Sequence, residues 1–289
     1  MELYRYFLFL FLFLFLFSLS ACNSNPSAPT AFQCHLNNLT APVTKTKWYS
    51  HAQLIQPQNK KVCAWVQFQG YDKIILEGDF DVKTVKTKYR DEPIRMQGDI
   101  AFVSRIQAKV VDNTLILRLD PNYNYAIKDP IFITLPFQNI RSFSYKGIGN
   151  VVIDELNTPH LDLNLEGNVD MWIKGNIVLG KINFNNDGKL VIHWVNTTNL
   201  CINAKKKGSI LLAGIANNLT ANINDYAILD ASYLKTKTAH IHTSNQAEAK
   251  INVTKRLNAF AEDNSTIYYD TLPDFIAKYS HGSGSILKM

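Results

Sequence analysis

The feature that most constrains the fold of this chain is a repeat of about 19 residues, which is clearest from residue 141 onward. Its units are spaced 18 to 21 residues apart. They start at Arg141, Leu161, Ile182, Leu200, Leu219, Ala239, Leu257 and Ile276. Within each unit, residues at even distances from the start are mostly apolar and those at odd distances are mostly polar. This alternation indicates short strands with one buried face.

Two columns of the aligned repeat identify the candidate core. The residues ten positions after each start are all apolar: Val151, Met171, Ile192, Ile210, Leu229, Ala249, Ile267 and Ile286. Those twelve positions after the start are Ile153, Ile173, Trp194, Leu212, Ala231, Ile251 and Tyr269. Because they have the same parity, both columns are expected to face inward, with Trp194 in the interior.

A third column marks a turn, and a fourth marks a polar ladder. Six residues after each start lie residues that favour tight turns or tolerate a left-handed backbone: Gly147, Gly167, Gly188, Lys206, Asp225, Asn245, Asp263 and Gly282. Three residues after the start lie Asn164, Asn185, Asn203, Asn222 and His242. We expect these outward amides to bond along a stack of coils, which is a structural role.

The repeat predicts an all-β chain that folds as a parallel β-helix, a solenoid with coils of about 19 residues. Residues 68–136 alternate with a looser period, and they are expected to form the opening coils or a β-rich N-terminal cap. An eight-stranded sandwich would also contain short, regularly spaced strands, but it would not require aligned columns.

Motifs along the chain resemble the putative auto-transporter adhesin, head GIN domain family. They lie at 68–82, 131–136, 147–149 and 280–286, and they include Tyr71-Asp72-Lys73-Ile74, Leu135-Pro136, Gly147-X-Gly149 and Gly282-Ser283-Gly284. The resemblance covers about residues 67 to 289. It implies a right-handed, single-stranded parallel β-helix of cell-envelope proteins, with no assigned reaction and no cofactor. Gly188-Lys189 and Asp263-Asn264-Ser265 depart from the Ser-Gly-Ser-Gly-Asp turns of the family.

The N-terminus has the pattern of a lipoprotein signal peptide. Residues 7–17 alternate Phe and Leu, which is too short for a membrane anchor and typical of a signal-peptide core. Leu19-Ser20-Ala21-Cys22 resembles the bacterial lipobox. It predicts a signal peptide at 1–21, lipidation of Cys22 with palmitate, and a flexible linker and N-terminal segment at 22–66. Asn23 favours the outer membrane, and the GIN-like β-helix domain would then span residues 67–289.

The remaining cysteines suggest one disulfide. In an oxidising envelope compartment, Cys34 and Cys63 could pair and close a loop of about 30 residues, which would leave Cys201 as the odd thiol. The cysteines lack metal-ligand spacing, so no metal site is expected from them.

Charge and motifs exclude several functions and leave one catalytic hypothesis and one metal-site hypothesis. The net charge is only +6, and no basic run is longer than residues 205–207, which argues against nucleic-acid binding. Glu166 and Asp187 could lie about 5 Å apart on neighbouring coils, the separation used by retaining glycosidases. His240 and His242 share one face of a strand and could hold a metal, but no third ligand is evident.

Large side chains at outward positions predict a surface strip that could stack sugars or meet a partner protein. The strip comprises Trp172, His193, Tyr226, Phe260 and Tyr268. A covering segment would be the structural alternative.

Together these features predict a non-enzymatic envelope lipoprotein, an adhesin or interaction module with a glycan or protein ligand and no cofactor. The alternatives are a periplasm-facing envelope scaffold and a carbohydrate-active enzyme.

Overall fold

A computed structural model describes residues 52–87, 92–137 and 139–289. The predicted signal peptide, Cys22, Cys34 and the linker lie outside the described residues. The first part of the chain contains β1 (Leu54–Ile55), β2 (Lys61–Val66), β3 (Lys73–Glu77), β4 (Phe80–Lys86), β5 (Ile94–Asp99), α1 (Ile100–Val103), β6 (Ile106–Val111), β7 (Thr114–Leu119), β8 (Asn124–Tyr125) and β9 (Ile131–Phe137). In this described part of the chain, no helix has the length and apolarity needed to cross a membrane.

The second part of the chain is a stack of parallel coils. It contains β10 (Ser142–Asn186), β11 (Lys189–Lys205), β12 (Ser209–Ile223), β13 (Ile228–Thr243), β14 (Glu248–Ala261), β15 (Thr266–Tyr269), β16 (Phe275–Ser280) and β17 (Ser285–Lys288). Successive coils pair in parallel, and one register column runs through Leu200, Leu219, Ala239, Leu257 and Ile276. These are five of the predicted starting residues, so the β-solenoid predicted from the repeat is confirmed, with about six turns.

One unit of the predicted repeat is out of register by two residues. Ile182 pairs with Ile202 rather than with Leu200, and Leu190 rather than Ile192 aligns with Ile210. The unit therefore starts at Gly180, which has no side chain to mark an apolar column. Because a shift of two preserves the inward and outward alternation, the predicted burial of Ile192 holds. Trp194 is the exception, since it leaves the interior and is 73% exposed.

The opening coils are stacked out of sequence order. The β3 strand pairs with both β7 and β10, and β4 pairs with both β9 and β10. The first coil in the sequence is therefore sandwiched between the second and the third. The far side of this stack is covered by antiparallel strands, with β5 on β9, β2 on β5 and β6 on β7. The segment predicted as opening coils or a cap thus provides both.

The interior of the solenoid is filled with apolar side chains. The residues at the inward positions of β10 to β14 are almost completely buried. The largest fully buried side chain is that of Tyr145, whose hydroxyl donates to the Phe80 carbonyl at 2.7 Å and accepts from the Phe80 amide at 2.8 Å. Burial raises the pKa of Tyr145 well above its usual range, so this hydroxyl keeps its proton. Functional groups must therefore be sought on the outer surface of the coils.

Candidate ligand-binding surface

Each coil turns at a first corner, defined by Gly147, Gly167, Asn186, Lys206, Asp225, Asn245, Asp263 and Gly282. The predicted turn column is confirmed here, because Lys206, Asp225, Asn245 and Asp263 all have φ between 57° and 71°. Their side chains also bond across coils. Asp225 Oδ2 accepts from the Lys206 amide at 3.1 Å, and Asp263 Oδ2 accepts from the Asn245 amide at 3.1 Å. The first corner therefore meets its backbone requirements mainly with glycine, asparagine and aspartate.

Asn186 occupies the first corner in place of the predicted Gly188, as the two-residue register shift requires. Its side chain is completely buried. The Oδ1 atom accepts from the Val169 amide at 2.7 Å, and Nδ2 donates to the Val169 carbonyl at 2.6 Å. One amide side chain thus substitutes for a backbone pair that the turn cannot form, which is how buried polar groups are satisfied in proteins.

The predicted amide ladder is present in a shifted form. Asn203 Nδ2 donates to Asn183 Oδ1 at 3.4 Å, and Asn222 Nδ2 donates to Asn203 Oδ1 at 3.1 Å, so Asn183 takes the place predicted for Asn185. In the next three coils the same column contains His242, Phe260 and Tyr279.

The aromatic side chains at the end of this column pack against one another. The rings of Phe260 and Tyr279 are 4.6 Å apart and inclined by only 3°, and the His242 ring meets Phe260 edge-on at 4.9 Å. The rings of Phe260 and Tyr279 cover each other's facing sides along the stack, as the amides bond along it. We therefore assign this column a structural role.

Glu166 and Asp187 do not form the catalytic carboxylate pair considered from the sequence. Glu166 is paired with the Lys146 ammonium at 3.0 Å, whereas Asp187 lies beside Lys206 at 3.8 Å. Glu166 and Lys205 occupy the same position in their repeats, and Lys205 pairs with Asn185 rather than with Asp187. The residue next to Glu166 on the neighbouring coil is therefore Asn185. Each carboxylate thus faces a lysine rather than the other carboxylate, and all four side chains are substantially exposed.

The His240 and His242 pair is engaged by neighbouring coils. His240 Nδ1 lies 3.0 Å from Asn258 Nδ2, and His242 Nε2 lies 3.1 Å from Glu262 Oε2. Burial, and then the nearby Arg256 guanidinium, lower the pKa of His240 and favour its neutral form. Among the described residues, no group of three or more ligating side chains is arranged to hold a metal ion.

The structure does not bring the five residues of the predicted strip together. Trp172 pairs with Val191, so His193 is not its neighbour on the next coil. Tyr268 does share a column with Trp172, but four residues lie between them: Val191, Leu211, Asp230 and Lys250. Tyr226 is half-exposed beside the first corner, where the Lys207 ammonium lies 5.8 Å from its ring. Phe260 belongs to the stacked column. The five residues therefore lie at separate places on the surface and do not form one strip.

The cysteines also differ from the prediction. Cys63 is a free thiol on β2, where the Arg95 Nε atom lies 3.1 Å from its sulfur. The predicted Cys34–Cys63 disulfide is therefore wrong. Cys201, predicted to be the odd thiol, is disulfide-bonded and almost fully buried. Cys63 and Cys201 lie on different parts of the fold, since β2 belongs to the antiparallel cap and β11 to the parallel coils. Spacing along the sequence could not show which of the two forms a disulfide.

A second corner turns the coils on another side, at Glu155, Gly175, Trp194 and Gly214. All four have positive φ, at 58°, 143°, 65° and 135° respectively. The glycines are required by close approach: a Cβ on Gly175 would lie 1.8 Å from the Leu156 carbonyl oxygen, and one on Gly214 would lie 2.1 Å from that of Val195. Trp194 is not a glycine, and a bulky residue in the left-handed region costs about 1–2 kcal/mol.

Two large aromatic residues stand exposed at this second corner. Trp194 is 73% exposed and Tyr233 is 74% exposed. In the register, Val195 pairs with Gly214, Gly214 pairs with Leu234, and Ala213 pairs with Tyr233. Trp194 and Tyr233 therefore occupy equivalent positions two coils apart, with only Ala213 and Gly214 on the coil between them. We call this arrangement of Trp194, Ala213, Gly214 and Tyr233 the corner slot.

The corner slot was missed by sequence reasoning because the register shift placed Trp194 in the interior. The signal that could have found it is the pair of glycines two coils apart, Gly175 and Gly214, at equivalent positions of the repeat. Aligning the coils on these glycines fixes the start of the intervening unit and moves Trp194 to the surface.

Comparison with known proteins agrees with this architecture. The chain matches the family model of the putative auto-transporter adhesin, head GIN domain, over residues 70–273. No curated protein matches the sequence. A putative lipid binding protein from Parabacteroides distasonis has a similar structure, with a TM-score of 0.73 at 18% identity over 82% of this chain and 100% of that chain.

Two solved structures of putative adhesins share the fold as well. One, from Parabacteroides distasonis, has a TM-score of 0.70 at 14% identity, covering 82% of this chain and all of that chain. The other, from Bacteroides fragilis, has a TM-score of 0.61 at 19% identity, covering 81% of this chain and all of that chain. At these identities the likeness establishes the fold alone. The match to the family model spans most of the sequence, and this chain therefore belongs to the putative auto-transporter adhesin, head GIN domain family.

Proposed function

We propose that the protein is a non-enzymatic adhesin of the bacterial cell envelope, held at the outer membrane by acyl chains on Cys22. The observation that carries the proposal is the corner slot, where two aromatic side chains are exposed on a rigid solenoid whose interior is filled. Exposed apolar groups that cluster on a surface beside polar residues mark interaction sites, and aromatic rings supply a large contact area there. The family description and two of the similar structures, both described as putative adhesins, support the same role.

The architecture suits binding better than catalysis. A solenoid presents a long, stiff outer surface and needs no deep pocket to display it. The two carboxylates considered for catalysis each lie beside a lysine, and the two imidazoles considered as metal ligands contact an amide and a carboxylate on a neighbouring coil. Weak contacts by many copies on one cell would add up to strong attachment, because linked binding events reinforce one another.

The anchor follows from the N-terminal sequence. Two or more acyl chains bury enough CH₂ groups, at about 0.8 kcal/mol each, to fix a protein stably to a membrane. The polar and proline-rich residues 23–30 would act as a flexible tether between Cys22 and the solenoid. Attachment and display are thereby assigned to different parts of the chain.

Surface labelling tests this proposal. Intact and permeabilised cells are treated with a membrane-impermeant biotin reagent that reacts with lysines, and labelling of this protein is measured after purification. We expect equal labelling in both samples. The Cys22→Ser variant is the matched control, and it should lose palmitate incorporation and leave the membrane fraction.

Labelling only after permeabilisation would contradict the adhesin proposal and favour a periplasm-facing envelope scaffold. Retention of palmitate by Cys22→Ser would contradict the lipid anchor. The two outcomes are independent, since one reports the side of the membrane and the other reports the attachment.

A further inference from the structure

We propose that the corner slot binds one pyranose ring of a glycan, stacked between the side chains of Trp194 and Tyr233. The assignment deepens the adhesin proposal by naming a ligand class, and it rests on that proposal for its biological role. The inference itself depends on the spacing, the exposure and the backbone of the second corner.

The spacing of the slot suits a saturated ring. Neighbouring coils are about 4.8 Å apart, so equivalent backbone positions two coils apart are separated by about 9.6 Å. Carbon atoms in contact lie about 3.5–4.0 Å apart, and two such contacts account for about 7–8 Å of that distance. About 2 Å remains, which accommodates the thickness of a puckered sugar ring better than a planar ring. Ala213 and Gly214, on the coil between the two aromatic residues, have at most one side-chain carbon each, so they take up little of that space.

The backbone of Trp194 argues that the slot is not an accident of packing. A tryptophan with φ of 65° occupies a region that bulky residues rarely adopt, and its side chain recovers little burial in return. Backbone strain of this kind is found most often at functional sites. An asparagine or glycine would form the same turn more easily, so stability does not explain the choice of residue.

Polar side chains lie beside the corner slot, on the same two coils as Trp194 and Tyr233. Asn196 and Lys235 follow Trp194 and Tyr233 by two residues, and both side chains are exposed. They are joined in the register through Ile215 on the intervening coil. Across residues 52–87, 92–137 and 139–289, neither side chain forms a hydrogen bond or ion pair with another residue. An amide and an ammonium with free donors next to stacking rings are suited to sugar hydroxyls.

The test is titration calorimetry on the full chain in a zwitterionic detergent that has no sugar head group. The probes are chitohexaose, cellohexaose and a hyaluronan hexasaccharide, which present neutral and acidic pyranoses. We expect at least one of them to bind with a dissociation constant of about 1 mM or below, as suits a single stacking site. Absence of binding by all three at about 10 mM would overturn the inference.

Two variants locate the binding. Trp194→Asn removes one wall and should weaken the affinity about tenfold, the usual effect of losing one stacked ring. Ala213→Phe keeps both walls but fills the space between them, and it should abolish binding. Trp65→Asn is the matched control, because Trp65 is 61% exposed on the antiparallel cap and should not affect affinity.

Thermal unfolding separates a binding role from a structural one. Trp194→Asn should leave the melting temperature unchanged or raise it, since asparagine accepts the left-handed backbone. A large fall in melting temperature would assign Trp194 to stability and overturn the inference, as would unchanged affinity in either slot variant. Because the titration uses purified protein, glycan binding without surface labelling would contradict only the adhesin proposal. Surface labelling without glycan binding would contradict only the assignment of the slot.

Discussion

The first and second corners of the solenoid impose the same backbone requirement and meet it differently. Both need residues with positive φ on successive coils. The first corner uses Lys206, Asp225, Asn245 and Asp263, and the two aspartates also accept backbone hydrogen bonds from a neighbouring coil. The second corner combines glycines under backbone oxygens with Trp194, which is strained and exposed. Local turn chemistry thus explains the aspartates and the asparagine of the first corner, whereas Trp194 at the second corner gains neither burial nor an easily formed turn.

The largest effect is expected at the glycines of the second corner. Gly175→Ala places a Cβ 1.8 Å from the Leu156 carbonyl oxygen, so the coils must separate. We expect a loss of more than about 3 kcal/mol in the free energy of unfolding, measured by urea denaturation. Gly282→Ala is the matched control at the first corner, where the nearest atom would be 3.4 Å away, and it should cost only about 1 kcal/mol. Equal losses would show that crowding does not distinguish the two corners.

A smaller effect is expected at the buried amide of the first corner. Asn186→Ala leaves the Val169 amide and carbonyl without their partners, which should cost about 2–3 kcal/mol in urea denaturation. Asn185→Ala changes the exposed neighbour and should remain within about 0.5 kcal/mol of the parent protein. If the two variants were equally stable, the side chain of Asn186 would have no part in closing the turn.

Removing a polar side chain from the first corner should have a moderate effect. Asp225→Ala loses the acceptor for the Lys206 amide and places alanine at φ of 63°, for an expected loss of about 1–2 kcal/mol. Asp225→Asn keeps both an acceptor and a residue that tolerates this backbone, so its melting temperature should stay close to that of the parent. A similar fall for both variants would attribute the effect to charge instead.

The smallest effect concerns the pH dependence of the parallel coils that these corners join. Burial and Arg256 lower the pKa of His240 in the folded state, whereas the unfolded value is about 6.5. The unfolded chain therefore binds more protons, and stability due to neutral His240 is complete above pH 6.5 and declines as the pH falls through the folded pKa. His240→Asn should flatten this decline in acid melting curves. Parallel curves for the two proteins at every pH would contradict it.

Much of the fold could be predicted because the decisive signals are local. Alternation of apolar and polar residues predicts strands, and the residues of the first corner predict a turn at one position of each coil. Both signals depend only on near neighbours in the chain, and both are confirmed. The register of the unit at Gly180 was mispredicted because a glycine leaves no mark in a hydrophobic column, and a shift of two residues does not change which side chains are buried.

The candidate site was harder to predict because its members are distant in the sequence. Trp172 and Tyr268 share a column, yet four residues separate them: Val191, Leu211, Asp230 and Lys250. Trp194 and Tyr233 became neighbours across the corner slot only once the register was known. The predicted disulfide of Cys63 was wrong for the same reason, because spacing along the sequence gives neither the order of the strands nor the burial of a side chain.

The sequence by itself determined that this protein is a β-solenoid with filled coils and polar turns, because a period of two within a period of about 19 has no simpler solution. Its N-terminal residues predict a lipid anchor, which stays a prediction. The tertiary structure decided the order of the opening coils, the register at Gly180 and the exposure of Trp194. These depend on hydrogen bonds between distant strands, whose energies are nearly equal in neighbouring registers until packing of the whole stack selects one.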